Sequence, residues 1–538
     1  MSRSFGTHFV LWAGCLALLP APVARAQRGP ANTPSPTPSP ANPERPATPI
    51  PPEKSSATQH ELSLGGQTLR YMATAGTLLI DDNDDQPNAS VFYVAYTLDG
   101  VAEPRTRPVT FLYNGGPGSA SMWLHMGSVG PVRVVTSSPE ATGSGPYQVV
   151  PNQYSLLDKS DLVFVDAVGT GFSRPVGKGT IRDFAGTDQD VRAFAKFIYR
   201  YISVNHRWNS PKFLFGESYG TTRSAALADA LQNDGMSLNG VILMSSILNY
   251  FVNAPGSDSQ FIGTLPSFAA IAWHYEKVSH RGKDQQTFLN EVRAFARGPY
   301  AEALAQGQNL PQAQVDAVAL KLAGYTGLSV KYLKDANLRV TPARFRKELL
   351  RDQRAILGRY DARFEGTDVD AAGETPGYDP SDSGISGPFV AALHDYLDNE
   401  LKYPSNETYL PSGPGINQAW DHGHRLGSAQ PTGGPGQGQP MRDAYVAGDL
   451  ADAMRKNPRL RVFSANGLFD LATPFFITEY DLAHIELEPK LRGNIEFGYY
   501  PSGHMIYLNV DALKQFKSDI AGFYARAAAN PDAKASGF

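Results

Sequence analysis

Pro211-Lys212-Phe213-Leu214-Phe215-Gly216-Glu217-Ser218-Tyr219-Gly220-Thr221-Thr222-Arg223 is the stretch on which the reading of this chain turns. Residues 212–215 read as a short buried strand, and from Ser224-Ala225-Ala226-Leu227-Ala228 onward strong helix formers take over. Between them stands Gly216-x-Ser218-x-Gly220, the strand-to-helix turn known as a nucleophile elbow. A turn this tight brings its flanks against neighbouring backbone, where a Cβ would clash. It lifts the Ser218 hydroxyl above the sheet and sets the following amides at a helix N-terminus, where they favour developing negative charge. The plainer reading is a glycine-rich turn with an incidental serine. The strand before and the helix after weigh against it, and Ser218 is the candidate nucleophile.

Outward from the elbow, strand and helix signals alternate. Residues 109–113 form an apolar strand that runs into Asn114-Gly115-Gly116-Pro117-Gly118-Ser119, a loop of bare backbone amides suited to a second oxyanion donor. Residues 161–166 give another buried strand. Thr187, with Asp190 three later, opens a helix whose Val191, Phe194, Ile198, Tyr201 and Ile202 share one face. Residues 240–244 supply the strand after the elbow helix. Near the other end, the strand 459–465 leads to Asp470, and the strand 494–498 leads to His504. The alternation predicts an α/β fold with a mostly parallel central sheet and helices on both faces. An acid after one strand and a histidine after the next, in the order Ser218, Asp470, His504, is the order of the α/β-hydrolase fold.

The rest of the chain frames this core. Residues 1–26 read as a signal peptide: Arg3, an apolar run over 9–19, and Ala24-Arg25-Ala26 as a cleavage site. That run is too short to span a bilayer. Gly14-Cys15 raises a lipoprotein anchor, which Trp12 makes unfavourable. Cys15 is the only cysteine, so the mature chain is expected to hold its fold without disulfides, as a bacterial periplasmic or secreted product. Residues 27–58 read as a Pro-rich disordered linker. The core is expected over 59–248 and 447–538, entered through strands at 69–73, 76–80 and 90–98. Residues 249–446 read as an inserted, mainly helical cap, with helices at 285–297, 312–323 and 343–356 and loops around 411–415 and 431–438. A net charge of −4 with no basic patch offers nothing to nucleic acid. No cofactor or metal is expected. His422-Gly423-His424 lacks the further ligands of a metal site and reads as loop.

Asn114-Gly115-Gly116-Pro117-Gly118, Gly130-Pro131, Gly216-Glu217-Ser218-Tyr219, Gly467-x-x-Asp470 and Gly503-His504-Met505 together resemble the serine carboxypeptidases (peptidase family S10) of the α/β-hydrolase fold. The resemblance implies oxyanion amides at Gly116 and Tyr219. It also implies that Asn114, Gly115 and Glu217 bind the substrate's terminal carboxylate, with a proton shared between Glu217 and that carboxylate. Four departures stand out: Ser119 in place of the family's usual cysteine, Gly220-Thr221 in place of Ala-Gly, Ser128 in place of a second glutamate, and a shorter segment between Asp470 and His504. The last three bear on exopeptidase specificity and on an acidic optimum. Without a charged neighbour at 128, Glu217 is expected to ionise more readily than in the family.

The sequence therefore implies a serine-type carboxypeptidase acting on peptides. An esterase, acyltransferase or aminopeptidase on the same triad is the alternative. A catalytically silent binding protein is the third reading, and the intact triad and oxyanion loop argue against it.

Overall fold

Alternate side chains of the central strands are sorted into two separate cores. Phe213, Phe215, Ile242 and Met244 share one apolar cluster, while Leu214, Val241 and Leu243 belong to another. A strand that must bury both faces has no polar alternation to show, which is why these segments read as unbroken apolar runs. The computed structural model describes residues 47–528 apart from 83, 280, 282–283 and 426–440.

The main sheet contains β1 (Ser55–Leu64), β2 (Gln67–Asp81), β3 (Pro87–Leu98), β4 (Val109–Tyr113), β5 (Asp161–Val165), β6 (Lys212–Glu217), β7 (Gly240–Met244), β8 (Arg461–Gly467) and β9 (Ile495–Tyr500). Their spatial order is β1-β2-β3-β5-β4-β6-β7-β8-β9, with the two-residue strand Arg174–Pro175 pairing β3 off this path. Pairings from β1 through β3 to β5 are antiparallel. From β5 to β9 every pairing is parallel. On one face lie α2 (Thr187–Val204), α3 (Tyr219–Asn233) and α5 (Ala447–Lys456); on the other lie α1 (Met122–Gly127) and α7 (Val510–Ala528). The two remaining helices that matter to the site are α4 (Ser259–His274) and α6 (Phe475–Ala483). This is the α/β-hydrolase arrangement, in which loops after the carboxyl ends of the parallel strands meet along one edge.

The chain leaves this sheet and returns to it at neighbouring points. Asn249 and Tyr445 form an antiparallel bridge, and Val446 N donates to Leu248 O at 2.9 Å. Between them the described residues are mainly helical, around a third apolar cluster that includes Phe268, Leu289, Leu322 and Phe345.

Three details differ from expectation. The predicted linker over 27–58 gives way to strand at Ser55, so its last residues belong to β1. The predicted strands 69–73 and 76–80 are one strand, because Gly76 is a point of close approach and not a turn: a Cβ there would lie 2.7 Å from Lys54 O. The predicted helix 343–356 stops at Glu348, and after Arg354 turns the chain at φ +57° the residues Ala355–Leu357 pair with Glu365–Thr367 as a small antiparallel ribbon. The signal peptide over 1–26, Cys15, most of the linker and the loop around 431–438 lie outside the described residues. Among the described residues no helix is long and apolar enough to cross a membrane.

Candidate active site

The elbow is strained where its chemistry needs it to be. Ser218 sits between β6 and α3 at φ +61° and ψ −131°, a conformation seldom adopted by a residue with a side chain. A Cβ on Gly216 would lie 2.1 Å from Gly220 O, and one on Gly220 would lie 2.9 Å from Tyr113 O. Tyr219 is the first residue of α3, so its N–H has no carbonyl one turn back to which it can donate.

The loop after β4 lies directly against that turn. A Cβ on Gly115 would come within 2.4 Å of Tyr219 N, so only glycine lets the two backbones approach. Gly116 follows at φ +106°. Both loops are tied down from behind by Arg223, whose side chain is wholly buried over the Phe194 ring at 4.0 Å. Its guanidinium pairs with Asp190 through Nε at 2.7 Å and Nη2 at 3.1 Å, and Nη1 donates to Asn114 O at 2.8 Å. Tyr219 donates its hydroxyl to the same Asp190 at 3.0 Å.

Across the cavity, His504 Nδ1 lies 2.8 Å from Asp470 Oδ2, with both side chains almost fully buried. Asp470 Oδ1 accepts from Ala472 N at 2.7 Å and Thr473 N at 3.0 Å, and Thr473 Oγ1 donates to Oδ2 at 2.7 Å. Burial pushes the Asp470 carboxyl up, but His504 and the Thr473 bonds outweigh it and hold the group below its ordinary range. Burial likewise pulls His504 down, and the Asp470 charge, with a smaller contribution from Glu217, reverses this to leave the imidazole above its ordinary value.

Ser218, His504, Gly116, Tyr219, Asn114, Gly115 and Glu217 all border one cavity of about 540 Å³, behind which Asp470 sits. Glu217 is 2% exposed, and burial pushes its carboxyl up to about 7; His504, Tyr507 and Asn114 nearby oppose that push and Asp470 reinforces it. Desolvation thus raises Glu217 without a second carboxylate beside it. Ser128 has no part in it: its hydroxyl donates to Leu124 O at 2.5 Å, and it does not border the cavity.

A cavity wall that the sequence did not disclose comes from Arg359 and Tyr360, which open the segment 359–363 of the insertion. Leu471 N donates to Arg359 O at 3.1 Å and Ala362 N to Phe469 O at 3.0 Å. His504 N donates to Tyr360 O at 2.6 Å and Gly503 N to Asp361 Oδ2 at 3.2 Å. Asp361 is 1% exposed and pairs with Arg363, which also reaches Ser502. The segment thus stitches the loop carrying Asp470 to the loop carrying His504. His424, read as loop, is held by Asp188 at 2.6 Å and Asp449 at 2.8 Å, which outweigh burial and raise it to about 9. Among the described residues no group of three or more His, Cys, Asp or Glu is placed to hold a metal ion.

Residues 67–263 match the family model described as serine carboxypeptidase, Peptidase S10, a span that includes the elbow and the Asn114 loop but neither Asp470 nor His504. The pheromone-processing carboxypeptidase KEX1 of Cryptococcus gattii is 26% identical over 276 residues, covering 48% of this chain and 39% of that protein. Serine carboxypeptidase-like 33 of Arabidopsis thaliana is 28% identical over 207 residues, covering 37% of this chain and 39% of that protein. The chain therefore aligns with well under half the length of these relatives. The crystal structure of a prohormone-processing carboxypeptidase, KEX1(Δ)P from Saccharomyces cerevisiae, is similar with a TM-score of 0.52 at 15% identity, covering 85% of this chain and 91% of that one, a likeness of fold.

Proposed function

We propose that this protein is an exported serine-type carboxypeptidase that releases C-terminal residues from peptides through an acyl-enzyme on Ser218. His504 takes the Ser218 proton as general base and returns it to the leaving amine. Asp470 accepts a hydrogen bond from His504 Nδ1–H and stays ionised, fixing the tautomer and stabilising the imidazolium. The amides of Gly116 and Tyr219 receive the oxyanion. Release of the leaving residue lets water enter, and the same histidine activates it to hydrolyse the acyl-enzyme.

The observation that carries the exopeptidase reading is Glu217. A carboxyl buried beside the nucleophile, with Oε2 accepting no hydrogen bond and a value pushed up to about 7, holds its proton below that pH and can then donate it to a peptide carboxylate. Asn114 and Gly115 border the same cavity. Export rests on the leader over 1–26 and on the thiol-free mature chain; the relatives named above are fungal and plant proteins and do not bear on a bacterial origin.

The test labels one sample at Ser218 with a fluorophosphonate and gives a second, unlabelled sample peptides with free and amidated C-termini. Labelling with cleavage of free peptides alone is the expected result. Equal cleavage of both, or of simple esters only, assigns the site to the aminopeptidase, esterase or acyltransferase alternatives. Absence of labelling in folded protein returns the chain to the binding-protein reading.

A further inference from the structure

A second chamber of about 330 Å³ opens off the main cavity, sharing Ile247, Arg359, Ala472 and Thr473 as common walls. It is closed by α4 at Thr264, by α6 at Ile477, and by Arg346 from the insertion. Its borders hold two cations, Arg346 and Arg359, and no Asp or Glu among the described residues. The two arginines are not equivalent. Arg346 is buried and spent on its own surroundings, donating to Leu357 O at 2.8 Å and lying 3.7 Å from Asp379. Arg359 is exposed, forms no ion pair among the described residues, and lays its guanidinium over the Tyr360 ring at 5.3 Å. Its backbone is fixed by the bonds from Leu471 N to Arg359 O and from Arg359 N to Asp379 Oδ1 at 2.8 Å, so the side chain springs from a held position.

Sheet order gives the chamber its side of the nucleophile. The Asn114 loop follows β4, on one flank of β6; Ser246 and Ile247 follow β7 and Leu471 to Thr473 follow β8, on the other flank. With the leaving residue's carboxylate at Asn114 and Glu217, the peptide runs past Ser218 toward Arg359. We propose that this chamber is an acyl-side pocket for an acidic side chain, with Arg359 its specificity-determining residue. A planar guanidinium that stacks on Tyr360 and has no carboxylate partner among the described residues suits a substrate carboxylate, which it meets with paired N–H donors. Asp382, which borders the main cavity, adds a penalty for carboxylates that stop short of the chamber.

This assignment of sides rests on the carboxypeptidase reading, so the test uses substrates that do not need it. N-acylated glutamyl, glutaminyl and lysyl p-nitrophenyl esters carry the side chain on the acyl half and have no free C-terminus. The wild-type protein is expected to favour glutamyl over glutaminyl ester by about ten-fold in kcat/KM, the scale of a charge-assisted contact in a cleft. Arg359→Met is expected to bring that ratio to about one, and Arg359→Glu to favour the lysyl ester, as a reversed charge demands. Each ratio is taken within one protein, so a general loss of activity cancels. Glutamyl preference that survives both substitutions, or a wild-type preference for the lysyl ester, overturns the proposal. Failure on amidated versus free peptides overturns only the exopeptidase reading, because the esters report the chamber independently.

Discussion

The two walls of the cavity are built by opposite means. On one side, the loops holding Asn114 to Gly116 and Glu217 to Tyr219 are turns that leave β4 and β6 directly, strained within a few residues at Gly216 and Ser218 and packed against each other at Gly115 and Tyr219. On the other, residues 359–363 arrive from the insertion and are held by partners more than a hundred residues away, at Phe469, Leu471, Gly503 and His504. One wall is local strain and the other is long-range stitching. Residues from the insertion therefore support the loops that carry Asp470 and His504.

The largest effects belong to the groups that both walls serve. Ser218→Ala is expected to lower kcat by about 10⁶, leaving the oxyanion loop and binding to supply what remains. Full turnover by folded Ser218→Ala protein is incompatible with the acyl-enzyme. Asp470→Asn is expected to lower kcat by about 10⁴ with a much smaller change in KM, since it disturbs the His504 tautomer while keeping shape. A loss confined to KM makes Asp470 a substrate contact.

The stitched wall is broken at Asp361. Asp361→Asn leaves Arg363 buried without its charge partner, which costs about 3–5 kcal/mol of folding stability, read from the urea midpoint. It also leaves a single side-chain oxygen to serve both Arg363 and the Gly503 amide next to His504, and a displacement of the base by even about 1 Å lowers kcat by about 10²-fold. Unchanged kcat in a folded Asp361→Asn protein shows that the His504 loop does not depend on the Asp361 carboxylate.

The same contrast explains what could be read from the sequence. The parallel core, the elbow turn and the placing of Asp470 and His504 after successive strands follow from patterns whose cause lies within a few residues of each glycine or strand end. The helix placed at 343–356 failed because Arg354 turns the chain there and the ribbon that follows pairs with residues ten further on. Arg359, Tyr360 and Asp361 carried no signal, since a single arginine, tyrosine or aspartate in an insertion looks like any other surface residue until its partners are in place. Thr473 was nearer to legible: a Thr three after an Asp is a common way for a turn to satisfy its own carboxylate. Arg223 stood in the decisive stretch, but its role depends on Asp190 from another helix.

Glu217 gives the smallest effect, and burial is the largest influence on it, with His504, Tyr507 and Asn114 opposing and Asp470 reinforcing. Its carboxyl is raised from 4.5 to about 7, so it is protonated below that value and ionised above it. A peptide's terminal carboxylate is charged across this whole range. Binding therefore has a donor to work with below about pH 7 and meets a like charge as pH rises through it. The affinity of free peptides is expected to weaken with pH, by up to about ten-fold per unit well above 7, while amidated peptides stay level. Measuring Kd in the Ser218→Ala protein keeps the titration of His504 as catalytic base out of the reading. Glu217→Gln, an amide that donates at any pH, is expected to flatten the free-peptide curve. Parallel curves for free and amidated peptides, unaltered by Glu217→Gln, remove Glu217 from carboxylate recognition and leave Arg359 as the cavity's remaining reader of negative charge.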